Sequence, residues 1–170
     1  MAVNVKENGF ETLIVNWLTQ QNGYELGSNA DYNREFAVDE TRLFRFLQNT
    51  QPQAVKELHI LDSPLEKQKF FQQLNKKLKS DGVIKLLRNG FKYRHKTLDL
   101  FYVRPSAENP KSAQLYAKNI FSVTRQLEYS HINPRLALDL CIFLNGLPII
   151  TMELKNQFTK QNVYGRGRTV

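Results

Sequence analysis

Residues 136–155 read Leu136-Ala137-Leu138-Asp139-Leu140-Cys141-Ile142-Phe143-Leu144-Asn145-Gly146-Leu147-Pro148-Ile149-Ile150-Thr151-Met152-Glu153-Leu154-Lys155. Two apolar runs of strand length flank an Asn-Gly pair, the strongest short-range signal of a hairpin. Leu136–Leu144 and Ile149–Lys155 are therefore predicted as antiparallel strands. Asp139, Glu153 and Lys155 are the polar exceptions that most need explaining. Acids and a lysine in strands that otherwise read as buried are costly unless they hold a cation or perform chemistry.

The hairpin register decides whether these residues meet. A loop of Asn145 and Gly146 alone would pair Leu144 with Leu147 and set Asp139 beside Met152. The even-numbered Leu138, Leu140, Ile142, Leu144, Ile150, Met152 and Leu154 would then divide between two sheet faces. One extra residue in the turn, as a three-residue loop or a glycine bulge, puts all of them on one face and sets Asp139 opposite Glu153. Lys155 follows two residues along on the same side. Two convergent carboxylates offer hard oxygen ligands suited to Mg²⁺, with the Leu154 backbone carbonyl as a further ligand. Lys155 could then orient a water or stabilise a pentavalent phosphoryl transition state. The competing structural reading is an Asp139–Lys155 ion pair at a strand edge beside a solvated Glu153.

Working outward, Thr97–Val103 and Asn119–Tyr129 read as strands, separated by a proline-containing loop over residues 104–111. The first half reads as helices. Phe10, Leu13, Ile14, Trp17 and Leu18 form one apolar stripe on a helix ending near Asn22-Gly23. Asp39 caps a second helix carrying Leu43, Phe44, Phe46 and Leu47, which Gln51-Pro52 ends. A short third helix carries Val55, Leu58 and Leu61. Ser63-Pro64-Leu65-Glu66 combines a capping box with proline at the first helical position, and starts a helix bearing Phe71, Leu74 and Leu78. Asp81-Gly82 separates it from a last short helix through Val83, Ile84 and Leu87, closed by Asn89-Gly90.

The chain of 170 residues suits a single domain over residues 1–170, and 41% hydrophobic with 24% charged residues fits a globular protein. A formal charge of +8 and a pI near 9.6 favour a polyanionic partner. The lone Cys141 excludes an internal disulfide and reads as a small buried hydrophobe. With no apolar signal core and no long uncharged apolar stretch, a cytoplasmic location is expected. Lys67, Lys69, Lys76, Lys77 and Lys79 read as a solvated helix face rather than a phosphate-binding one. Lys160, Arg166 and Arg168, nearer in sequence to the acids, are the better candidates for DNA-backbone contacts. His59, His95 and His131 lack metal-ligand spacing, and the tyrosines form no base-stacking platform.

Asp139 through Asn156, above all Asn-Gly-Leu-Pro-Ile-Ile-Thr-Met-Glu-Leu-Lys-Asn, resembles the nuclease core at the N-terminus of the restriction (motor) subunit of type I restriction–modification enzymes. That core belongs to the PD-(D/E)xK superfamily. Gly9-Phe10-Glu11-Thr12-Leu13-Ile14, followed by Asn22-Gly23-Tyr24, resembles the family's first helix. The resemblance implies an α/β, restriction-endonuclease-like fold: a mixed central β-sheet flanked by helices, with a helix-rich N-terminal half. It implies Mg²⁺-dependent cleavage of double-stranded DNA, with Asp139 and Glu153 as metal ligands and Lys155 as the catalytic lysine. Glu11 stands where related nucleases often carry a supporting acid; the alternative is a solvated first-turn acid favoured by the helix dipole. Methylation and specificity subunits are the implied partners.

The family's Q-x-x-x-Y motif is not matched by Gln157, Gln161 and Tyr164. No G-x-x-x-x-G-K-[ST] occurs, so ATP is expected to bind only in a full-length motor subunit, of which this chain would be an N-terminal fragment or a truncated product. The alternatives are a catalytically idle DNA-binding or assembly module of the same fold, and a repair or junction-type nuclease of the superfamily.

Overall fold

A computed structural model describes residues 7–106, 109–130, 132–133 and 136–155. Helix α1 (Glu7–Gln21) leads into three two-residue strands, β1 (Glu25–Leu26), β2 (Tyr32–Asn33) and β3 (Val38–Asp39). Four helices follow: α2 (Glu40–Thr50), α3 (Pro52–Glu57), α4 (Pro64–Asp81) and α5 (Val83–Asn89). The second half holds β4 (Phe91–Tyr93), β5 (Lys96–Leu98), α6 (Pro110–Tyr116), β6 (Phe121–Glu128), β7 (Ala137–Leu144) and β8 (Leu147–Met152). The central sheet runs β1-β6-β7-β8, with β1 parallel to β6 and the other neighbours antiparallel. This is the mixed sheet with flanking helices that the sequence predicts. Among the described residues no helix is long and apolar enough to cross a membrane.

Local chemistry sets the helix starts as expected. The Asp39 side chain accepts a hydrogen bond from the Arg42 amide, and Ser63 accepts from the Glu66 amide with Pro64 at the first helical position. The Glu66 side chain itself pairs with Lys69 and Arg94.

The sheet separates three apolar clusters. The largest gathers α2 to α5 with β3, β4 and β5 around Leu43, Phe46, Phe70, Phe71 and Leu74, and takes in Leu144 and Leu147 from the hairpin tip. On one face of the sheet, Val15 and Leu18 of α1 pack on Val123, Leu140 and Ile142. Burying each such side chain is worth about 2 kcal/mol. Leu127, Cys141 and Phe143 form the third cluster with Tyr32 and Leu138.

Several expectations are corrected. α1 buries Glu11, Val15 and Leu18 and leaves Phe10, Leu13 and Trp17 exposed, so its apolar stripe is divided between sheet and solvent. The Thr97–Val103 strand shrinks to the three residues of β5, Lys96–Leu98, because its only partner among the described residues is the equally short β4. The loop over 104–111 gives way to α6 at Pro110, where Asn109 caps the helix by accepting from the Ser112 amide. β8 begins at Leu147 and ends at Met152, leaving Glu153, Leu154 and Lys155 beyond the ladder.

Candidate active site

The hairpin keeps the expected parity by a different route. Leu144 pairs with Leu147, so the loop is only Asn145 and Gly146, both with positive φ (50° and 82°). These are the dihedral signs of the tight hairpin turn favoured by Asn-Gly. The extra residue is Ile149: Phe143 faces Pro148 while Ile142 faces Ile150. Proline has no N–H to give to the ladder and belongs at such a bulge, so the insertion falls beside Pro148 rather than in the turn. Past the bulge, even residues face even residues as far as Leu140 and Met152.

The seven-residue apolar face is only partly realised. Leu140 and Ile142 are buried against α1, with Met152 and Leu154 packed beside them. Leu138 instead joins the cluster of Cys141 and Phe143, Leu144 joins the main core, and Ile150 is exposed.

Where the ladder ends, the Asp139 side chain continues it. Its Oδ2 accepts a hydrogen bond of 2.6 Å from the Leu154 amide, which ties the Glu153–Lys155 segment beside β7. Its Oδ1 accepts from Gln126 Nε2 at 3.2 Å. The same Gln126 nitrogen donates to Glu11 Oε2 at 2.9 Å, and Glu11 Oε1 receives Arg125 Nε at 2.5 Å. Glu11 is only 3% exposed, so it is a buried, paired acid and not a solvated first-turn one. Glu153 and Lys155 are exposed, and among the described residues neither forms an ion pair.

The structure thus joins Glu11 and Asp139 through one amide and tethers the segment of Glu153, Leu154 and Lys155 to Asp139. Lys160, Arg166 and Arg168, with Gln157, Gln161 and Tyr164, lie outside the described residues. Among the described residues no group of three or more His, Cys, Asp or Glu side chains is placed to hold a metal ion. What stands here suits a cation needing one or two carboxylates and keeping several waters, which is the habit of Mg²⁺. Among the described residues each Asp139 oxygen accepts one hydrogen bond and retains a lone pair, and Glu153 forms no ion pair.

Sequence reasoning missed Arg125 and Gln126. Their signal is faint: Thr124-Arg125-Gln126 interrupts the apolar residues of a strand, and Val123 and Leu127, both odd-numbered, end up in clusters on different faces. The switch occurs at Gln126, whose φ is 46°.

A family model described as the type I restriction enzyme R protein N terminus matches residues 4–165. No curated protein and no solved structure matches the chain.

Proposed function

The chain belongs to the family of type I restriction enzyme R protein N termini, and from that premise we propose that it is the Mg²⁺-dependent endonuclease domain of a type I restriction–modification complex. The observation that carries this reading is the grip of the Leu154 amide on Asp139, which sets one acid beside the segment bearing the second acid and the lysine.

In this reading Asp139, Glu153 and the Leu154 carbonyl hold the cation, and Glu11 is a supporting acid behind them. Bound Mg²⁺ would supply charge neutralisation at the scissile phosphate and a more acidic water. Asp139 offers a carboxylate whose orientation is already fixed at both oxygens, so little ordering remains when substrate arrives. Glu153 contributes a second hard oxygen from between Met152, the last residue of the β7–β8 ladder, and Leu154, whose amide Asp139 holds. Lys155, exposed and without an ion-pair partner among the described residues, brings a point cation to the phosphate and the attacking water. Arg125 pairs with the buried Glu11 behind the cleft, as a buried acid requires.

The substrate is double-stranded DNA, with recognition and methylation supplied by the other subunits and backbone contacts by Lys160, Arg166 and Arg168. ATP binding belongs to a motor region. In the assembled enzyme, Asp139→Ala and Lys155→Ala should each lower plasmid cleavage by at least about a hundredfold while ATP hydrolysis continues. Full cleavage by Asp139→Ala would overturn the site.

A second reading has its own support. Both oxygens of Glu11 are already occupied by protein donors and no three-acid cluster forms among the described residues, as a catalytically idle assembly module would have it. That module would leave cleavage unchanged in both variants.

A further inference from the structure

Gln126 is the one residue of β6 with a left-handed backbone, at φ 46°. A glutamine rarely adopts this conformation inside a strand, and such outliers persist where surrounding contacts over-determine them. The contacts here are specific. Asn29 Nδ2 donates to the Gln126 carbonyl at 3.0 Å, while Asn29 Oδ1 accepts from the Glu128 amide at 2.9 Å. One side-chain amide thus satisfies the backbone on both sides of the distortion, as a neighbouring strand would. β1 provides no such strand there, because its pairing with β6 ends at Leu26 and Val123 and is followed by the Gly27 amide donating to Val123.

The distortion has a directional result. Arg125 and Leu127 keep their β7 partners, Leu140 and Leu138, but the intervening Gln126 makes no ladder pair with Asp139. Its side chain instead reaches both acids, giving one hydrogen bond to Glu11 and one to Asp139.

We propose that Gln126 is a positioning residue of the cleavage centre, held left-handed by Asn29 so that its amide fixes the Asp139 carboxylate against Glu11. The proposal rests on the reading of Asp139 as a cation ligand. Gripped by Gln126 at Oδ1 and by Leu154 at Oδ2, the carboxylate cannot rotate about its last torsion, and its free lone pairs are presented in one direction. Loss of such outer contacts typically weakens metal affinity by about tenfold or more.

The test separates positioning from scaffolding by giving the two opposite signs. Glycine accepts a positive φ without strain, so Gln126→Gly should melt no lower than the parent chain. It should nevertheless bind Mn²⁺, titrated calorimetrically into the chain, about tenfold more weakly. Gln126→Ala should lose the same affinity and melt below Gln126→Gly, since the strain remains. Asn29→Ala should reproduce both losses. Parent-level Mn²⁺ affinity in Gln126→Gly, with binding abolished in Asp139→Ala, would overturn the positioning role and leave the cation site standing. Undiminished Mn²⁺ binding in Asp139→Ala would overturn the cation site and this proposal with it.

Discussion

Asn145 shows how much one side chain can carry that its sequence motif does not announce. As part of an Asn-Gly pair it predicts a turn, and its φ of 50° fulfils that. Yet it is fully buried: its Oδ1 accepts from the Ile120 amide at 2.6 Å, and its Nδ2 donates to the Leu100 carbonyl at 2.9 Å and to Asn119 Oδ1 at 3.0 Å. The turn is therefore a junction between β6, the hairpin and the segment after β5. Asn145→Ala leaves a buried donor and acceptor unpaired and puts alanine at positive φ, so it should cost about 3 kcal/mol in denaturant unfolding. A loss below about 1 kcal/mol would mean water replaces the amide. Gly146 is equally constrained. A Cβ there would meet the Asp39 carbonyl and lie 2.7 Å from Leu43 Cβ, at a φ of 82°. Gly146→Ala should push the turn off the start of α2 and lower the melting temperature more than alanine at Gly23, where an added Cβ meets nothing within 4 Å.

At the scale of elements, parity was legible and position was not. Burial of Leu140, Ile142 and Met152 demands even-to-even pairing whatever the loop does, so the hydrophobic pattern alone brings Asp139 toward Glu153. Where the extra residue sits depends on Pro148, which cannot donate, and on the contacts of Asn145 with residues 25 and 45 positions away. Only the first of these is written locally. The strands β1 to β5 have two or three residues each, too few for a period to show, and Thr97–Val103 misled because β-prone residues need a partner strand as long as themselves. α1 misled for a related reason. An apolar stripe identifies a helix but not which part of the stripe meets the sheet, and buried Glu11, held by Arg125, turns the helix so that Val15 and Leu18 face inward. This orientation is measurable through Trp17, the only tryptophan, at 59% exposure. Its fluorescence should be that of a solvated indole and readily quenched by iodide. A blue-shifted, protected emission would mean that the Phe10, Leu13 and Trp17 side of α1 is covered in solution.

For the molecule as a whole, one strand ties the candidate site to global stability. β7 carries Asp139 at one end, and between there and the turn it presents Leu140 and Ile142 to α1 and Cys141 and Phe143 to the opposite layer, where Tyr32 packs edge-on against Phe143. That opposite layer is uncharged only while its acids are protonated. Burial pushes the Cys141 thiol up from 9.0 to about 12, and burial followed by proximity to Cys141 pushes the Tyr32 phenol up from 10.0 to about 12. At neutral pH and below both groups are protonated in the folded and unfolded chains, so neither makes stability depend on pH. Above it the unfolded chain releases protons that the folded chain retains, and the difference favours unfolding progressively until the folded values near 12 are passed. For a group as buried as Cys141 the loss approaches about 1 kcal/mol per pH unit. Urea midpoints should therefore be level through neutral pH and fall between pH 9 and about 12. Cys141→Val should make the fall shallower and delay its onset to the tyrosine's range. An unchanged slope in Cys141→Val would show that the thiol ionises freely in the folded state and that the layer behind Asp139 is open to water. Such an opening would also let the native thiol react with an alkylating reagent near neutral pH, whereas a closed layer permits reaction only after unfolding.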